Sequence, residues 1–195
     1  MDTVVIVIII VVVVAVAAVA AAFVYQRRHS HQLQQRFGPE YQRTVEASGD
    51  RQAAERDLQA REQRRSKLDV TPLTGESAGR YRDEWNTLQQ GFVDEPGNAV
   101  VQADRLVLRM MRESGYPVDE FDQRAADISV DHPDVAETYR EAHRVAVAQA
   151  QGQTDTEELR QAVTAYRHLV YVLLADSGDR DERHPAGPAD GKEQS

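Results

Sequence analysis

The first feature of the chain is a long run of apolar residues near its N-terminus. From Val4 to Val24 the sequence is almost entirely Val, Ile and Ala and contains no charged residue. A helix of that length measures roughly 30 Å, which matches the hydrocarbon thickness of a bilayer. Isoleucine and valine favour strands in water, but in lipid a helix satisfies its own backbone hydrogen bonds and an isolated strand does not. The run therefore predicts a single transmembrane anchor within residues 1–25.

From residue 69 to residue 175 the apolar residues recur at intervals of three and four, the spacing of one helix face. No segment alternates with a period of two, as a half-buried strand would. The pattern predicts an all-α fold, with a small bundle of about five helices over residues 69–175. The predicted core-facing residues are, helix by helix, Tyr81, Trp85, Leu88 and Phe92; Val100, Ala103, Val107 and Met110; Phe121, Ala125 and Ile128; Val135, Tyr139, Ala142 and Ala146; and Leu159, Val163, Tyr166, Val170 and Leu173.

Residues that favour helix ends mark the boundaries of this bundle. Thr74 is of a type preferred at the N-cap, and Gly115 is of the type that ends a helix. Asp131 is expected to cap the fourth helix of the bundle. The segment Thr154–Glu157 has the T-x-x-E spacing of a capping box and is expected to open the last one.

Residues 26–68 form a charged arm between the apolar run and the bundle. Leu33, Phe37 and Tyr41 recur every four residues, and Gly49 is a point where the helix can break. A heptad register through the arm places charged residues on its seam, which gives little support to a self-sufficient coiled coil. We expect the arm to be helical and either to pack on the bundle or to lie against the membrane.

Charge is distributed unevenly along the chain, whose formal net charge is −9. The arm holds ten basic and six acidic residues, whereas residues 69–175 hold ten and nineteen. Residues 176–195 are dense in Gly, Pro and charge, and are predicted to be a disordered acidic tail. A basic arm suits an anionic membrane surface, although an ordinary solvated helix face would have the same composition. The predicted lipid-facing residues are Arg27, Arg28, Arg36, Arg61, Arg64, Arg65 and Lys67.

The charges that flank the apolar run predict its direction in the membrane. Only Asp2 precedes the run, whereas Arg27 and Arg28 follow it directly. Basic flanks stay in the cytoplasm, so we expect a plasma-membrane protein with its N-terminus outside and its bulk inside. The alternative is a signal peptide cleaved after residues 20–22, which would make the protein an exported one, but such peptides begin with a basic segment.

Few combinations of residues in this sequence could carry catalysis. The chain has no cysteine, which excludes disulfides, thiolate metal sites and cysteine nucleophiles. Residues 75–79 match the G-x-S-x-G pattern of a nucleophile elbow, with Ser77 in the nucleophile position. That motif needs a strand leading into the serine, whereas Pro72 and Thr74 indicate a helix start. We therefore predict no catalytic residue, no cofactor and no enzymatic activity.

One cluster offers oxygen and imidazole groups that could bind a divalent cation, namely Asp131, His132, Asp134 and Glu137. The chain has no Glu-x-x-His pair, the spacing that carboxylate-bridged centres use in helical bundles. Helix capping and the helix dipole explain these acids better, so they are weak metal candidates. His143 lies at the edge of an apolar face and is expected to be a hydrogen-bonded packing residue. Nucleic acid is not an expected partner, because only the arm is basic.

Several longer strings carry a resemblance to a known family. They are RFGPEYQRTVE (36–46), KLDVTPL (67–73), RYRDEW (80–85), SGYPVDEFDQRAADISVDHPDVAETYREAH (114–143) and TDTEELRQAV (154–163). Over residues 30–175 the chain resembles a set of uncharacterised actinobacterial proteins, often labelled hypothetical or secreted, with an N-terminal hydrophobic segment and a charged helical remainder. The resemblance implies that fold but assigns no catalytic or binding residue.

Three functional hypotheses follow from the sequence. The first is a non-enzymatic, single-pass membrane protein whose cytoplasmic bundle binds an unidentified protein partner or scaffolds an assembly; its oligomeric state stays open. The second is a module whose basic arm binds anionic lipid. The third is a divalent-metal protein or enzyme that uses the neighbourhood of Asp131, His132 and Asp134.

Overall fold

The computed structural model describes residues 3–183, with side chains from residue 11 to residue 177 except at residues 19, 22, 25, 26 and 29. Over residues 3–183 the chain forms α-helices and no strand, which confirms the predicted all-α class. The helices are α1 (Thr3–Phe37), α2 (Pro39–Ser48), α3 (Arg51–Arg65), α4 (Gly75–Gly91), α5 (Pro96–Glu113), α6 (Phe121–Asp131), α7 (Pro133–Ala150) and α8 (Thr156–Arg183).

The chain divides into two compact units, residues 1–60 and residues 61–195. The division falls inside α3, whereas the sequence placed the boundary between arm and bundle at residue 68. The cause is that the last residues of α3 bond to α6 in the second unit, through Arg61 to Ser129 and Arg65 to Asp131. The end of the predicted arm therefore belongs with the bundle.

α1 is a single helix that continues from the apolar run into the arm without a break. In the part of the chain whose side chains are described, no helix is both long and apolar enough to cross a bilayer. Residues 1–10 of the predicted anchor lie outside that part. In the described part of the predicted anchor, five valines are between 55% and 64% exposed: Val11, Val12, Val13, Val14 and Val16.

In the first unit, two glycines turn the chain between α1, α2 and α3. Gly38 and Gly49 have φ of 48° and 66°, a left-handed region that is easily reached without a Cβ. The Gly49 N–H closes the end of α2 on the carbonyl oxygen of Val45 at 2.9 Å. The predicted stripe in the arm is confirmed as buried, since Leu33, Phe37 and Tyr41 are at most 5% exposed.

The second unit is a bundle of the five helices α4 to α8, the number that the sequence predicted. α5, α7 and α8 pack on one another, α4 packs on α5 and α8, and α6 packs on α7. The predicted stripes supply the core, in which Trp85, Tyr139 and Tyr166 are the largest fully buried side chains.

The turn after α5 requires its glycine for two reasons. Gly115 has φ of 91°, and a Cβ there would lie 2.4 Å from the carbonyl oxygen of Asp69. The same close approach lets the Thr71 N–H donate to the Ser114 carbonyl oxygen at 2.9 Å. This hydrogen bond holds the segment before α4 against the end of α5, and the approach is possible because Gly115 has no Cβ.

The helix starts are predicted well, although not always in the correct register. Thr74 caps α4 as expected, with its hydroxyl oxygen 3.2 Å from the Ser77 N–H. At α8, however, the capping box is one residue later than predicted. The Glu158 N–H donates to Asp155 at 2.9 Å, and the Asp155 N–H donates back to Glu158 at 3.1 Å. Aspartate is the stronger N-cap residue, so it takes the position that the pattern assigned to Thr154.

Two further predictions of helix ends are wrong. Asp131 does not cap α7, because it is the last residue of α6 and the N-cap position is His132. The predicted tail from residue 176 begins too early, since α8 continues to Arg183. Adding a residue to an existing helix costs little, and the Ser177 hydroxyl donates to the Leu173 carbonyl oxygen at 3.1 Å. The rest of the predicted tail, residues 184–195, lies outside the described residues.

Candidate functional site

The first candidate site is a polar cluster around Glu55, which joins all three helices of the first unit. Ser30 on α1 donates to Glu55 Oε1 at 2.7 Å, Tyr41 on α2 at 2.8 Å and Arg51 on α3 at 3.0 Å. Burial alone would raise the pKa of Glu55, but these hydrogen bonds outweigh it and hold the pKa below its usual value. Glu55 therefore stays ionised while only 7% exposed.

An open cavity lies beside this cluster, with a volume of about 460 Å³. Phe23, Arg27 and Ser30 of α1 line one side, and Arg51 and Glu55 of α3 line the other. The Arg27 guanidinium lies 5.0 Å from the centre of the Phe23 ring, where the ring face attracts a cation. The cavity is thus placed directly after the apolar run, where α1 becomes charged.

The sequence pattern does not distinguish Glu55 from the other charged residues of its helix-forming segment. Ala54, directly before it, and Leu58, three residues after it, are both 0% exposed. The one feature of the sequence that could have indicated a buried Glu55 is its position beside the small apolar face of a short helix. Its partners, Ser30 and Tyr41, come from other helices and have no spacing rule that would identify them.

The predicted basic arm is divided by the structure. Arg61 donates to Ser129 at 3.3 Å, Arg64 lies 3.9 Å from Asp127, and Arg65 is paired with Asp131. All three arginines thus face polar groups of α6, and their assignment as lipid-facing residues stays a prediction. Their positive charge compensates the carboxylates of α6, of which Asp127 is only 1% exposed. The side chains of the predicted set that stay exposed are Arg27, Arg28, Arg36 and Lys67.

The four weak metal candidates are not brought together. Asp131 Oδ2 accepts a hydrogen bond from the Tyr116 hydroxyl at 2.5 Å and forms an ion pair with Arg65. His132 faces Asp176 at 3.0 Å, and Asp134 lies 3.9 Å from a different imidazole, that of His168. Within the described residues no three His, Asp or Glu side chains are grouped as a metal would require.

Ser77 lies in the first turn of α4 and has no strand before it in residues 3–183. Its hydroxyl donates to Glu113 on α5, and Tyr81 donates to the same carboxylate at 2.7 Å. These bonds lower the pKa of Glu113, while burial and that carboxylate raise the pKa of Tyr81 to about 12. Ser77 thus ties α4 to α5, and the geometry of a nucleophile elbow is not formed.

A second, partly buried polar cluster joins α5, α7 and α8 in the bundle and includes His143. His143 Nδ1 lies 2.9 Å from Asp104 Oδ1, and the Tyr166 hydroxyl donates to the same oxygen at 2.8 Å. Phe121 stacks on the His143 ring at 3.8 Å. The prediction of a hydrogen-bonded packing histidine is confirmed.

Arg124 extends this cluster toward α6. Although the residue is only 5% exposed, Nε donates to the Tyr139 hydroxyl at 2.7 Å and Nη1 donates to the Val118 carbonyl oxygen at 2.6 Å. Burial raises the pKa of Tyr139 to about 12, although the Arg124 charge opposes the rise. Asp104, which is half-buried, and Arg124, which is buried, are charges that the apolar periodicity did not indicate.

The described residues thus define an all-α protein with a small first unit, built from α1, α2 and most of α3, and a five-helix bundle. No protein-family model, curated protein or solved structure matches the chain.

Proposed function

We propose that the chain is a single-pass membrane protein, anchored by residues 4–24, whose helical bundle binds a protein partner or scaffolds an assembly at the inner face of the plasma membrane. The observation that supports the anchor is the exposure of Val11 to Val14 on successive positions of one helix. Successive positions point to all sides of a helix, and a helix that is apolar on all sides needs a non-aqueous environment.

A binding role is favoured over catalysis by the way in which the bundle uses its polar groups. Asp104, His143 and Tyr166 bond to one another, and Arg124 bonds to Tyr139. In each case the hydrogen bonds connect side chains of different helices, and such connections stabilise one arrangement of the bundle. A rigid bundle on a tether fits a module that presents a surface to another protein.

The anchor is tested by placing charge in the apolar run. Its fourteen Ile and Val residues contribute about 4–8 kcal/mol to insertion, and each Arg near the centre costs about 3 kcal/mol. We therefore expect Val14→Arg alone to stay in the membrane fraction after alkaline washing, and a triple change of Val12, Val14 and Val16 to Arg to release the chain.

The matched control places three arginines on the bundle surface, at Thr87, Gln90 and Val93, which are exposed. This variant adds the same charge and should remain in the membrane. Release of the control, or retention of the triple Val→Arg variant, contradicts the anchor.

The partner is tested by cross-linking the full chain in its membrane before purification. The comparison is a fusion of residues 1–37 to an unrelated soluble domain, which has the same anchor without the bundle. We expect a protein, or a second copy of the chain, that is captured by the full chain and not by the fusion. Identical captures from both would refute a binding role for the bundle.

A further inference from the structure

The cavity beside Glu55 has a size and a position that suit a ligand from the membrane surface. Its volume of about 460 Å³ lies within the range of small-molecule sites. Phe23, which is 57% exposed, forms its apolar edge at the end of the predicted anchor. Aromatic side chains at that depth lie among lipid headgroups. A ligand with a polar head and an apolar body would match both parts.

The charges that line the cavity are balanced. Arg27 and Arg51 supply two guanidinium groups, and Asp50 and Glu55 supply two carboxylates. Glu55 is enclosed by three donors, one of which is Arg51. Asp50 accepts the backbone N–H groups of the first turn of α3 at 3.1 Å and keeps further acceptor capacity. A ligand with one positive and one negative group would meet an opposite charge at each end.

Arg27 is the group best placed to bind the negative end. Among the residues whose side chains are described, its guanidinium contacts the Phe23 ring. A guanidinium on a ring face keeps its N–H groups available at the edge, and these suit phosphate oxygens.

We propose that this cavity binds the headgroup of a zwitterionic phospholipid. Its phosphate accepts hydrogen bonds from Arg27 and Arg51, its primary ammonium group donates to Asp50, and its glycerol end lies at Phe23. That the headgroup belongs to a membrane lipid rests on the proposed membrane anchor. A free phosphoethanolamine ester carries the same two groups, a phosphate and a primary ammonium two carbons apart. An anionic headgroup without an ammonium would leave Asp50 unpaired, so it should bind less tightly.

The test is native mass spectrometry of the full chain, delipidated in detergent and titrated with single lipids. We expect phosphatidylethanolamine to bind more tightly than phosphatidylglycerol, and more tightly than phosphatidylcholine, whose quaternary ammonium has no N–H to donate. Arg27→Ala should weaken phosphatidylethanolamine binding about tenfold, the effect of one charge-assisted hydrogen bond.

Arg28→Ala is the matched control, because it removes the same exposed charge from the next position of α1, outside the cavity lining. Asp50→Asn is the second variant. Asparagine is an equally good N-cap residue, so its one carbonyl oxygen keeps one of the two backbone N–H bonds of α3 while the preference for phosphatidylethanolamine over phosphatidylglycerol is lost. Equal losses from Arg27→Ala and Arg28→Ala would overturn the proposal, as would a preference for phosphatidylglycerol in the unaltered chain.

Soluble glycerophosphoethanolamine and inorganic phosphate separate the two sources of the headgroup. Displacement of the lipid only by a large excess of glycerophosphoethanolamine supports a lipid site, whereas equal affinity for the soluble ester would overturn it. Because the titration is done in detergent, it does not depend on membrane fractionation. A chain that fractionates with membranes but binds lipid identically in Arg27→Ala would refute this site and leave the anchor standing.

Discussion

At the scale of single residues, Asp104 shows how the bundle stabilises a half-buried charge between its helices. Burial on its own would raise the pKa of Asp104, but the bonds to His143 and Tyr166 outweigh it and hold the pKa below its usual value. The ionised group therefore stabilises the folded state above the unfolded carboxyl pKa of about 4. That stabilisation is lost as the pH falls through the folded pKa.

We expect Asp104→Asn to lower the free energy of unfolding by about 1–2 kcal/mol at neutral pH, because a charged acceptor is lost. The difference from the unaltered chain should shrink below about pH 4. Trp85 is the single tryptophan and is fully buried in the bundle, so its fluorescence during denaturant titration reports this unit. Asp83→Asn, on an exposed position, is the control. A difference that stays constant from neutral pH to about pH 3 would contradict this role of Asp104.

The sequence predicted His143 correctly but not its partners. A histidine at the edge of an apolar stripe is usually hydrogen-bonded, and that rule is local. Asp104 is 39 positions away on another helix, and a single polar residue within the stripe of α5 has no periodicity of its own. Buried pairs of this kind depend on how helices pack, so the apolar pattern does not indicate them.

At the scale of helices, the start of α8 tests the shifted capping box. Asp155→Ala should lower the free energy of unfolding by about 1 kcal/mol, and Glu158→Ala should also lower it, because each removes a partner of a backbone N–H. Glu157→Ala is the matched control, since Glu157 pairs with Arg160 at the surface and should contribute less. If Glu157→Ala were the more damaging of the two glutamate changes, the box would lie at the register that the sequence predicted.

The end of α3 provides a second prediction at this scale. Arg65 is 20% exposed and pairs with Asp131, and its guanidinium lies 5.4 Å from the Tyr116 ring centre. Arg65→Ala should lower the free energy of unfolding of the bundle by about 1–3 kcal/mol, because Asp131 loses a cation. Lys67→Ala, at an exposed position, should change it little. Weaker vesicle binding by Arg65→Ala with unchanged stability would contradict this stabilising role and support Arg65 as a lipid-facing residue.

At the scale of the whole molecule, the fold class and the bundle core followed from the apolar spacing. That spacing is set by burial, which the sequence carries directly at residues such as Trp85 and Tyr166. The division at residue 60 did not follow, because Arg61 and Arg65 have the composition of a solvated face and only their partners on α6 show otherwise. Charge counts thus indicated a basic arm, whereas the contacts assign its end to the bundle.

The predicted direction of the chain in the membrane can be tested by cysteine labelling, because the sequence has no cysteine of its own. Single cysteines at Thr3→Cys and Gln151→Cys lie on opposite sides of the apolar run, the second in the exposed turn after α7. We expect a membrane-impermeant maleimide to label Thr3→Cys in intact cells, and Gln151→Cys only after permeabilisation. The reverse pattern would contradict the predicted direction, and a mature chain that lacks residue 3 would indicate a cleaved signal peptide.

The cause of the predicted direction can be tested in the same cysteine-substituted background. Two arginines after the run outweigh the single acid before it, and basic flanks are retained on the cytoplasmic side. Exchanging Arg27 and Arg28 for Ser and Asp2 for Arg reverses that bias without altering the apolar residues. We expect label at Gln151→Cys in intact cells to rise in this variant, because the bundle is then carried outward in part of the population. An unchanged label would mean that the flanking charge does not determine the direction.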